Sequence, residues 1–355
     1  MGMIKLPDRS LDLFQEKFGD IFSSGALAEG DWNESVARFV ADYSNAPYAL
    51  ALNSNGSGLL AILMLMKRYR GKKRVVLQSN TMYGVKTIAN SSGLSMNGFI
   101  DCEMPFLMPT LDNVKEFFEP IAKKEEFVFL LTHIGGWVNP EIRGISSYCK
   151  AHDIALVEDC AHSLGATLDG EHTGLFGDAG VYSLYATKAI PVGEGGILVT
   201  KDSDLYEKSK RFIMYDRIKQ EIDIGINLRM SELNALLAHC VLLEIENIIG
   251  EKHATAERYN AVCLEHGISF LAPNQGGQRA NLYKYIVLTD GTGADDYFQR
   301  VTNRTSPVYD YALGRDLQGI SRNHICLPIW YRLEKETIEE TVAQLADNSK
   351  NHRPH

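Results

Sequence analysis

Residues 155–166 read ALVEDCAHSLGA, an apolar strand-forming run that ends in Glu158 and Asp159. A strand that is apolar on both faces is typical of a parallel sheet covered on both sides. Such sheets bind ligands at the carboxyl ends of their strands. The stretch therefore predicts an α/β fold with acidic groups at its binding edge. There, Asp159 either holds a charge for a bound ligand or caps the following turn.

Similar strand-like runs recur on both sides of this stretch. Together with residues 155–158 they predict about seven strands, the others at 48–52, 75–78, 95–100, 127–132, 181–184 and 196–200. Helical periodicity occupies several of the segments between them, at 58–69, 111–119 and 143–152. Strands that alternate with helices favour a mostly parallel sheet covered by helices.

The chain beyond residue 231 predicts a second, smaller unit. Apolar residues at helical spacing over 231–249 predict one long amphipathic helix that leaves the first domain. A strand at 283–288, a turn at 290–293 and a final helix from about residue 335 follow. We expect a large α/β domain with an N-terminal arm at 1–240 and a small α+β domain at 241–355.

Composition narrows the class of function. The 355 residues carry 36 Lys and Arg against 45 Asp and Glu, a net charge of −9, so we expect no nucleic-acid partner. The longest strongly apolar stretch, 58–66, is too short to cross a bilayer, and the first ten residues lack the apolar segment of a secretory signal. Six cysteines are scattered without metal-ligand spacing, which favours free thiols, no metal site and a cytoplasmic location.

A lysine between two strand-like runs is a second chemical signal. Residues 177–188 read GDAGVYSLYATK and are followed by GEGG at 193–196. Because lysines are usually solvated, Lys188 between apolar strands and glycines is a candidate functional residue. At 225–233 the sequence GINLRMSEL places an Asn and an Arg before a helix, where Ser231 is alternatively a plain N-cap.

A short turn, NSNGSG at 53–58, opens the first strongly apolar helix. Its free backbone N–H groups and the helix dipole make a phosphate cradle, although an ordinary helix start has the same appearance. A cradle, a strand-end Asp and a strand-flanked Lys are the parts that a pyridoxal phosphate site needs. The lysine amine forms an internal aldimine, the Asp keeps the ring nitrogen protonated and the cradle anchors the phosphate.

These segments closely resemble the DegT/DnrJ/StrS family of pyridoxal-phosphate-dependent sugar aminotransferases. The resemblance covers about residues 32–249. It rests on EDCAHSLGA at 158–166, on the segments from 177 to 196 and on NLRMSE at 227–232. It implies the type I aminotransferase fold, pyridoxal 5'-phosphate as cofactor and three catalytic residues. Lys188 is then the Schiff-base lysine that also moves the proton, Asp159 pairs with the pyridinium nitrogen, and His162 lies beside the ring and its 3-hydroxyl.

The resemblance also implies residues that bind the cofactor without reacting. Ser183 matches a phosphate-binding serine, and Gly56 and Ser57 lie where the family usually has Gly-Thr. The segment at 79–83 usually supplies an aromatic residue that stacks on the ring. Met82 occupies that position here, so either Tyr83 or the Met82 thioether covers the ring.

Three further residues extend the expected site. Asn227 resembles an asparagine that reaches the phosphate from a neighbouring subunit, which implies a homodimer with shared active sites. Glu194 matches a substrate-binding position. A nucleotide-linked substrate needs a basic or polar patch, for which Arg229 and the region near Arg217 are candidates.

The implied reaction is a ping-pong transamination in amino sugar biosynthesis. L-Glutamate would give its amino group to the cofactor through the Lys188 aldimine and leave as 2-oxoglutarate, and a nucleotide-linked keto sugar would then take the amine. Related sugar dehydratases carry His in place of the lysine, so Lys188 argues against dehydration. A non-catalytic binder of pyridoxal phosphate or a sugar nucleotide is an alternative on the same scaffold. A nicotinamide-dependent enzyme is disfavoured, because no GxGxxG follows the first strand.

Overall fold

The computed structural model describes residues 4–28, 30–215, 223–289, 291 and 293–349. The strands are β1 (Tyr48–Leu52), β2 (Arg74–Gln78), β3 (Ser95–Ile100), β4 (Phe127–Thr132), β5 (Ala155–Cys160), β6 (Thr167–Leu168), β7 (Glu171–His172), β8 (Ala179–Ser183), β9 (Gly196–Thr200), β10 (Gln278–Arg279), β11 (Tyr285–Leu288) and β12 (His324–Leu327). The helices are α1 (Asp8–Ser24), α2 (Asp31–Ser44), α3 (Asn55–Tyr69), α4 (Tyr83–Ser91), α5 (Leu111–Phe118), α6 (Ile142–Ala151), α7 (Ser203–Ile213), α8 (Glu232–Leu242), α9 (Ile245–His266), α10 (Ala294–Tyr297) and α11 (Lys335–Ser349).

A seven-stranded sheet forms the centre of the larger part, in the order β1-β9-β8-β5-β4-β2-β3. β9 runs antiparallel to both of its neighbours, β1 and β8. The other neighbouring pairs are parallel. The sequence prediction of a mostly parallel seven-stranded α/β fold is therefore confirmed.

The two middle strands, β4 and β5, are buried at all six of their residues. This is the burial that a continuous apolar run predicts for a strand covered on both faces.

The helix α3 lies directly on the sheet because Gly58 has no side chain. A Cβ atom there would lie 2.7 Å from Val181 Cγ1 and 2.8 Å from Leu52 Cδ1. Any larger residue at Gly58 would push α3 away from the strand ends.

The helix predicted over 231–249 is wrong as a single element. α8 ends at Leu242, α9 begins at Ile245, and the two helices are bent by 54° relative to each other. Val241, Leu242, Ile245 and Ile248 all stay in one hydrophobic cluster across the break. The apolar spacing therefore continues through the bend, and periodicity alone does not reveal it.

The antiparallel pair of β11 and β12 is the centre of a second hydrophobic core, which α9 and α11 help to form. Leu107 and Trp137, from the loops of the larger part, also enter this core. We propose the division into a large domain at 1–240 and a small domain at 241–355. Residue 240 lies inside α8, so the proposed boundary falls just before the bend.

No single helix among the described residues is long and apolar enough to cross a membrane. α8 and α9 satisfy the length and composition criteria only when they are taken together as a bent pair.

Candidate active site

Polar side chains from neighbouring strands meet at the carboxyl edge of the sheet. Asp159 lies near the end of β5 and is only 2% exposed. Its carboxylate accepts hydrogen bonds from the Asn55 amide at 3.1 Å, the Thr132 hydroxyl at 3.3 Å and the Ala161 backbone N–H at 3.0 Å. The bond from Ala161 is the turn cap that the sequence allowed. The other two bonds fix the carboxylate at the binding edge.

Asp159 is a buried acid whose bonds come from neutral donors. Burial raises the pKa of its carboxyl, and the Ala161 N–H and the charge of Lys188 oppose that rise. Among the described residues, no cation lies within ion-pair distance of it. A buried carboxylate is stabilised most by a hydrogen-bonded positive partner. The edge therefore favours a ligand that brings a cationic N–H to Asp159.

Lys188 lies in the loop between β8 and β9 and is partly buried. Its Nζ atom lies 4.7 Å from the centre of the Tyr283 ring. Burial lowers the pKa of the ammonium group to about 8, although the nearby Asp159 charge opposes the shift. A lysine with a lowered pKa is an effective nucleophile near neutral pH, because more of its amine is unprotonated.

His162 lies on the turn after β5, with its ring stacked on Tyr283 at a centroid distance of 4.3 Å. Its Nδ1 atom accepts a hydrogen bond from the Gly135 N–H at 3.4 Å. Burial, followed by the charges of Lys188 and Lys284, holds the pKa of His162 well below its usual range. The imidazole is therefore neutral and carries its proton on Nε2. That N–H has no partner among the described residues, so it can donate to a ligand.

The phosphate cradle lies at the N-terminus of α3. The Ser54 hydroxyl accepts from the Ser57 N–H at 3.1 Å, which starts the helix at Asn55. A Cβ atom at Gly196 would overlap the backbone of Ser54 and Asn55, so this approach requires glycine. Ser183 is the strand partner of Gly196. The structure therefore brings the predicted Ser183, Gly56 and Ser57 to one place.

Met82 and Tyr83 remain open as candidates to cover a bound ring. Met82 is 46% exposed, and Tyr83 is 55% exposed. The Tyr83 ring stacks on Tyr311 at 4.1 Å, and its backbone N–H donates to the Tyr311 hydroxyl at 3.1 Å. The neighbouring Thr81 is tied to the site, because its hydroxyl bonds the Thr132 hydroxyl at 2.8 Å. Both side chains are therefore exposed, and the Tyr83 ring already has a stacking partner within the chain.

The residues expected to complete the site are less enclosed in the single chain. Asn227 is exposed, and its side-chain oxygen accepts from the Arg229 N–H at 3.4 Å. The Arg229 guanidinium donates to the Ile213 carbonyl at 3.3 Å and lies over the Tyr215 ring. Glu194 is exposed. Arg217 lies outside the described residues.

Several side chains of this edge escaped sequence reasoning. Asn55 and Thr132 hold Asp159 from segments distant in sequence, and Tyr283 reaches the site from the C-terminal part of the chain. Asn281 fixes the Tyr283 segment: its amide donates to the His162 carbonyl at 2.8 Å, and its oxygen accepts from the Tyr283 N–H at 2.9 Å. The only local signal was Asn55 within the predicted cradle.

Glu158, which precedes Asp159, braces the same strand end from within the core. Its two carboxyl oxygens accept from the backbone N–H groups of Gly174, Phe176 and Gly177 at 2.7–2.8 Å. The His133 Nε2 atom donates to it at 2.7 Å. This network holds the loop before β8 against β5, so it fixes the strand on which Asp159 lies.

Glu158→Ala is expected to lower the free energy of unfolding by about 3–5 kcal/mol, because four buried donors lose their acceptor. Glu158→Gln keeps one acceptor oxygen and is expected to lose less. Urea unfolding of the two variants and the wild type measures the difference. A loss below about 1 kcal/mol for the alanine variant, as an ordinary surface change gives, would contradict the bracing role.

The donor set of this edge fits pyridoxal phosphate. Within the described part of the chain, Asp159 has no cation and the His162 N–H has no acceptor. Lys188 has a lowered pKa, and the N-terminus of α3 offers a phosphate cradle beside Ser183. These groups match a ring with one basic nitrogen, one oxygen substituent, one aldehyde and one phosphate.

Comparison with known proteins finds sugar aminotransferases among the sequences and structures that this chain is similar to. GDP-perosamine synthase of Vibrio cholerae is 26% identical over 73% of this chain and 70% of its own length. An aminotransferase structure of the DegT DnrJ EryC1 StrS type from Brucella abortus has a TM-score of 0.85 at 17% identity, over 96% of both chains. The PLP form of the putative sugar aminotransferase Spr1654 from Streptococcus pneumoniae has a TM-score of 0.82 at 16% identity, over 99% of this chain and 98% of that one.

The family model described as the DegT/DnrJ/EryC1/StrS aminotransferase family matches residues 11–346, far more than the segment on which the sequence resemblance rested. Nearly the whole chain is therefore covered, from α1 into α11. The expected family is confirmed: this chain belongs to the DegT/DnrJ/EryC1/StrS aminotransferases.

Proposed function

We propose that this protein transfers the amino group of L-glutamate to a nucleotide-linked keto sugar, with pyridoxal 5'-phosphate as its cofactor. The observation that carries the proposal is the placement of a buried Asp159 near a partly buried Lys188 at one sheet edge. The names of relatives support the substrate class: one is a GDP-perosamine synthase, and another, from Helicobacter pylori, is a transaminase of a UDP-linked amino sugar.

The bound cofactor would supply an electron sink for the carbanion that forms when a proton leaves the substrate carbon. The chain's own residues then have separate tasks. Asp159 would hold the positive charge of the ring nitrogen, and the neutral His162 would donate a hydrogen bond from its Nε2 to the ring oxygen. Lys188 carries the proton between the two reacting carbons, since its pKa of about 8 lets it both take and give a proton near neutral pH.

The phosphate would be held by Ser57, by Ser183 and by the first N–H groups of α3, including that of Gly56. Either Met82 or Tyr83 would cover the ring; we favour Met82, because Tyr83 already stacks on Tyr311. Glu194 and Arg229 are proposed to contact the substrate from the rim. The six unpaired, buried cysteines support the proposed cytoplasmic location.

A homodimer is part of the proposal. Asn227 is exposed in the single chain, and so are the apolar side chains of Ile226 and Met82. A partner subunit that covers this rim would bury them and carry Asn227 to the neighbouring phosphate. Size-exclusion chromatography with light scattering is expected to give twice the chain mass of 39.6 kDa. A monomer that turns over substrate would contradict the shared site.

The absorbance spectrum, recorded before and after L-glutamate is added, tests the reaction class. Cofactor bound to Lys188 is expected to absorb at about 420 nm, and amino transfer to shift the band to about 330 nm. An absorbance band that does not change when glutamate is added would contradict glutamate as the amino donor. Failure to acquire the band even with added cofactor would favour the non-catalytic alternative, a binder of sugar nucleotides.

The lowered pKa of Lys188 predicts the pH dependence of cofactor capture. Only the neutral amine attacks an aldehyde, so the capture rate of cofactor-free protein should rise as pH increases toward about 8 and level off above it. Below the pKa, the rise should be about tenfold per pH unit. Stopped-flow absorbance at about 420 nm measures it. A rate that still climbs between pH 9 and 10 would show a lysine with an ordinary pKa.

A further inference from the structure

A cavity of about 620 Å³ lies beside Lys188. Its walls come from the loop between β8 and β9 that carries Lys188, from α9 and from the segment at the end of β12. Besides Lys188, its lining includes Lys252 of α9, Lys284 just before β11 and Trp330 after β12. The described lining contains five basic residues and no Asp or Glu. The cavity is therefore a strongly cationic space in a protein whose net charge is −9.

The basic residues of the lining fall into two groups. Lys5 pairs with Glu334 at 2.7 Å, and Arg304 pairs with Asp295 at 3.0 Å. Lys188, Lys252 and Lys284 form no ion pair with any described carboxylate. A buried charge is normally paired, because desolvation without a partner costs several kcal/mol. Because Lys188 is assigned to the cofactor, Lys252 and Lys284 remain as two unpaired ammonium groups at one cavity, and they indicate a missing anion.

The cavity walls also hold more hydrogen-bond donors than the described acceptors use. An ammonium group has three donors. Lys284 uses two of them, on the Ser306 carbonyl at 2.8 Å and the Ser306 hydroxyl at 3.1 Å. Lys252 uses one, on the Leu282 carbonyl at 3.2 Å. The buried indole N–H of Trp330 has no acceptor among the residues that the structure describes. The walls thus hold spare donors, and a ligand rich in acceptors would satisfy them.

The charge of Lys284 also acts on Lys188, whose pKa it helps to lower. The Nζ atoms of Lys188 and Lys284 lie 4.7 Å and 5.7 Å from the centre of the same Tyr283 ring. Burial lowers the pKa of Lys252 to about 8, and the pKa values of Lys188 and Lys284 are lowered as well. An anion between them would offset both the desolvation and the repulsion.

We propose that this cavity is a subsite for an oxyanion of the substrate, a carboxylate or a phosphate, bound by Lys284 and Lys252 with the Trp330 N–H as a further donor. The inference rests on the proposed function, because Lys188, on which the proposed reaction depends, lines the same cavity. Carboxylate oxygens would come from the amino donor, and phosphate oxygens from the nucleotide of the acceptor. Lys284 and Lys252 would then set which substrates the enzyme accepts.

Isothermal titration of the cofactor-loaded protein with 2-oxoglutarate, and separately with GDP and UDP, tests the subsite. Lys284→Met is expected to raise the Kd of at least one probe tenfold or more, and Lys252→Met to raise the Kd of the same probe. Lys5→Met is the matched control, since Lys5 lines the cavity but already has a partner; it should change each Kd less than twofold. An effect on 2-oxoglutarate identifies the carboxylate source, and an effect on the nucleotides identifies the phosphate source.

The proposal is overturned if both variants bind all three probes as the wild type does, if the wild type binds none of them, or if the variants lose affinity only for pyridoxal phosphate. Lys284→Gln, with thermal melting of each variant, separates lost binding from lost folding. The proposed function is judged separately, by the band at about 420 nm. A protein without that band fails as an aminotransferase, and titration of its cofactor-free form still decides the subsite.

Discussion

Lys188→Ala is expected to abolish transamination and to remove the absorbance band at about 420 nm, with the fold unchanged. The amine of this residue has two tasks, since it holds the cofactor covalently and then carries the proton between carbons. Loss of the proton transfer alone would slow the reaction about 10²–10⁴-fold, and loss of the covalent attachment adds to that. Spectra and a glutamate-dependent half-reaction measure both effects on one sample.

Two variants make the Lys188 test specific. Lys188→Arg keeps a positive charge near Asp159 but has no neutral amine at working pH, so it should be as inactive as the alanine variant. Lys201→Ala removes a lysine at the opposite end of the sheet, where it pairs with Glu171 at 2.9 Å, and should leave the band intact. Turnover retained by Lys188→Ala would refute both tasks.

The sheet could be predicted from the sequence because each of its strands is a local pattern. The apolar run at 155–158 extends in the structure to β5 (Ala155–Cys160), and the run at 127–132 matches β4 (Phe127–Thr132) in full. Asp159 and Lys188 could be predicted for the same reason. Asp159 follows one apolar run and Lys188 lies between two others, and the ends of parallel strands meet at one edge of the sheet.

The rest of the site depends on contacts between distant segments. Asn55 reaches Asp159 across 104 residues, and Asn281 reaches His162 across 119. Nothing in the local sequence around Tyr283 indicates that its ring contacts both His162 and Lys188. The first contact comes from how α3 packs on the sheet, and the second from how the C-terminal part of the chain packs against it. A single sequence carries no periodicity or spacing that encodes either contact.

Asp159→Asn is expected to separate the stability of the empty protein from its affinity for the cofactor. Burial raises the pKa of the Asp159 carboxyl in the folded chain above its unfolded value. For an acid, a pKa that is higher in the folded state means that ionisation opposes folding. The loss of stability begins as pH rises above the pKa of the unfolded chain and is complete above the pKa of the folded chain. At neutral pH, the neutral asparagine avoids this cost and can keep the bonds from Asn55 and Ala161. The cofactor-free variant should therefore melt at the same temperature as the cofactor-free wild type, or higher.

With pyridoxal phosphate bound, we expect the order of the two melting temperatures to reverse, so that the wild type melts higher than the variant. The wild type gains a buried ion pair between Asp159 and the ring nitrogen, whereas an amide cannot hold that nitrogen protonated. We expect Asp159→Asn to gain less thermal stability from the cofactor and to slow the half-reaction with glutamate by about 10²–10³-fold, as loss of one charge-stabilising group does. Thr132→Val is the matched control, because it removes the 3.3 Å hydrogen bond to the same carboxylate, together with the bond to the Thr81 hydroxyl, and keeps the charge of Asp159. Equal cofactor stabilisation and equal rates in Asp159→Asn and the wild type would show that the carboxylate has a structural role in the sheet edge and none in the chemistry.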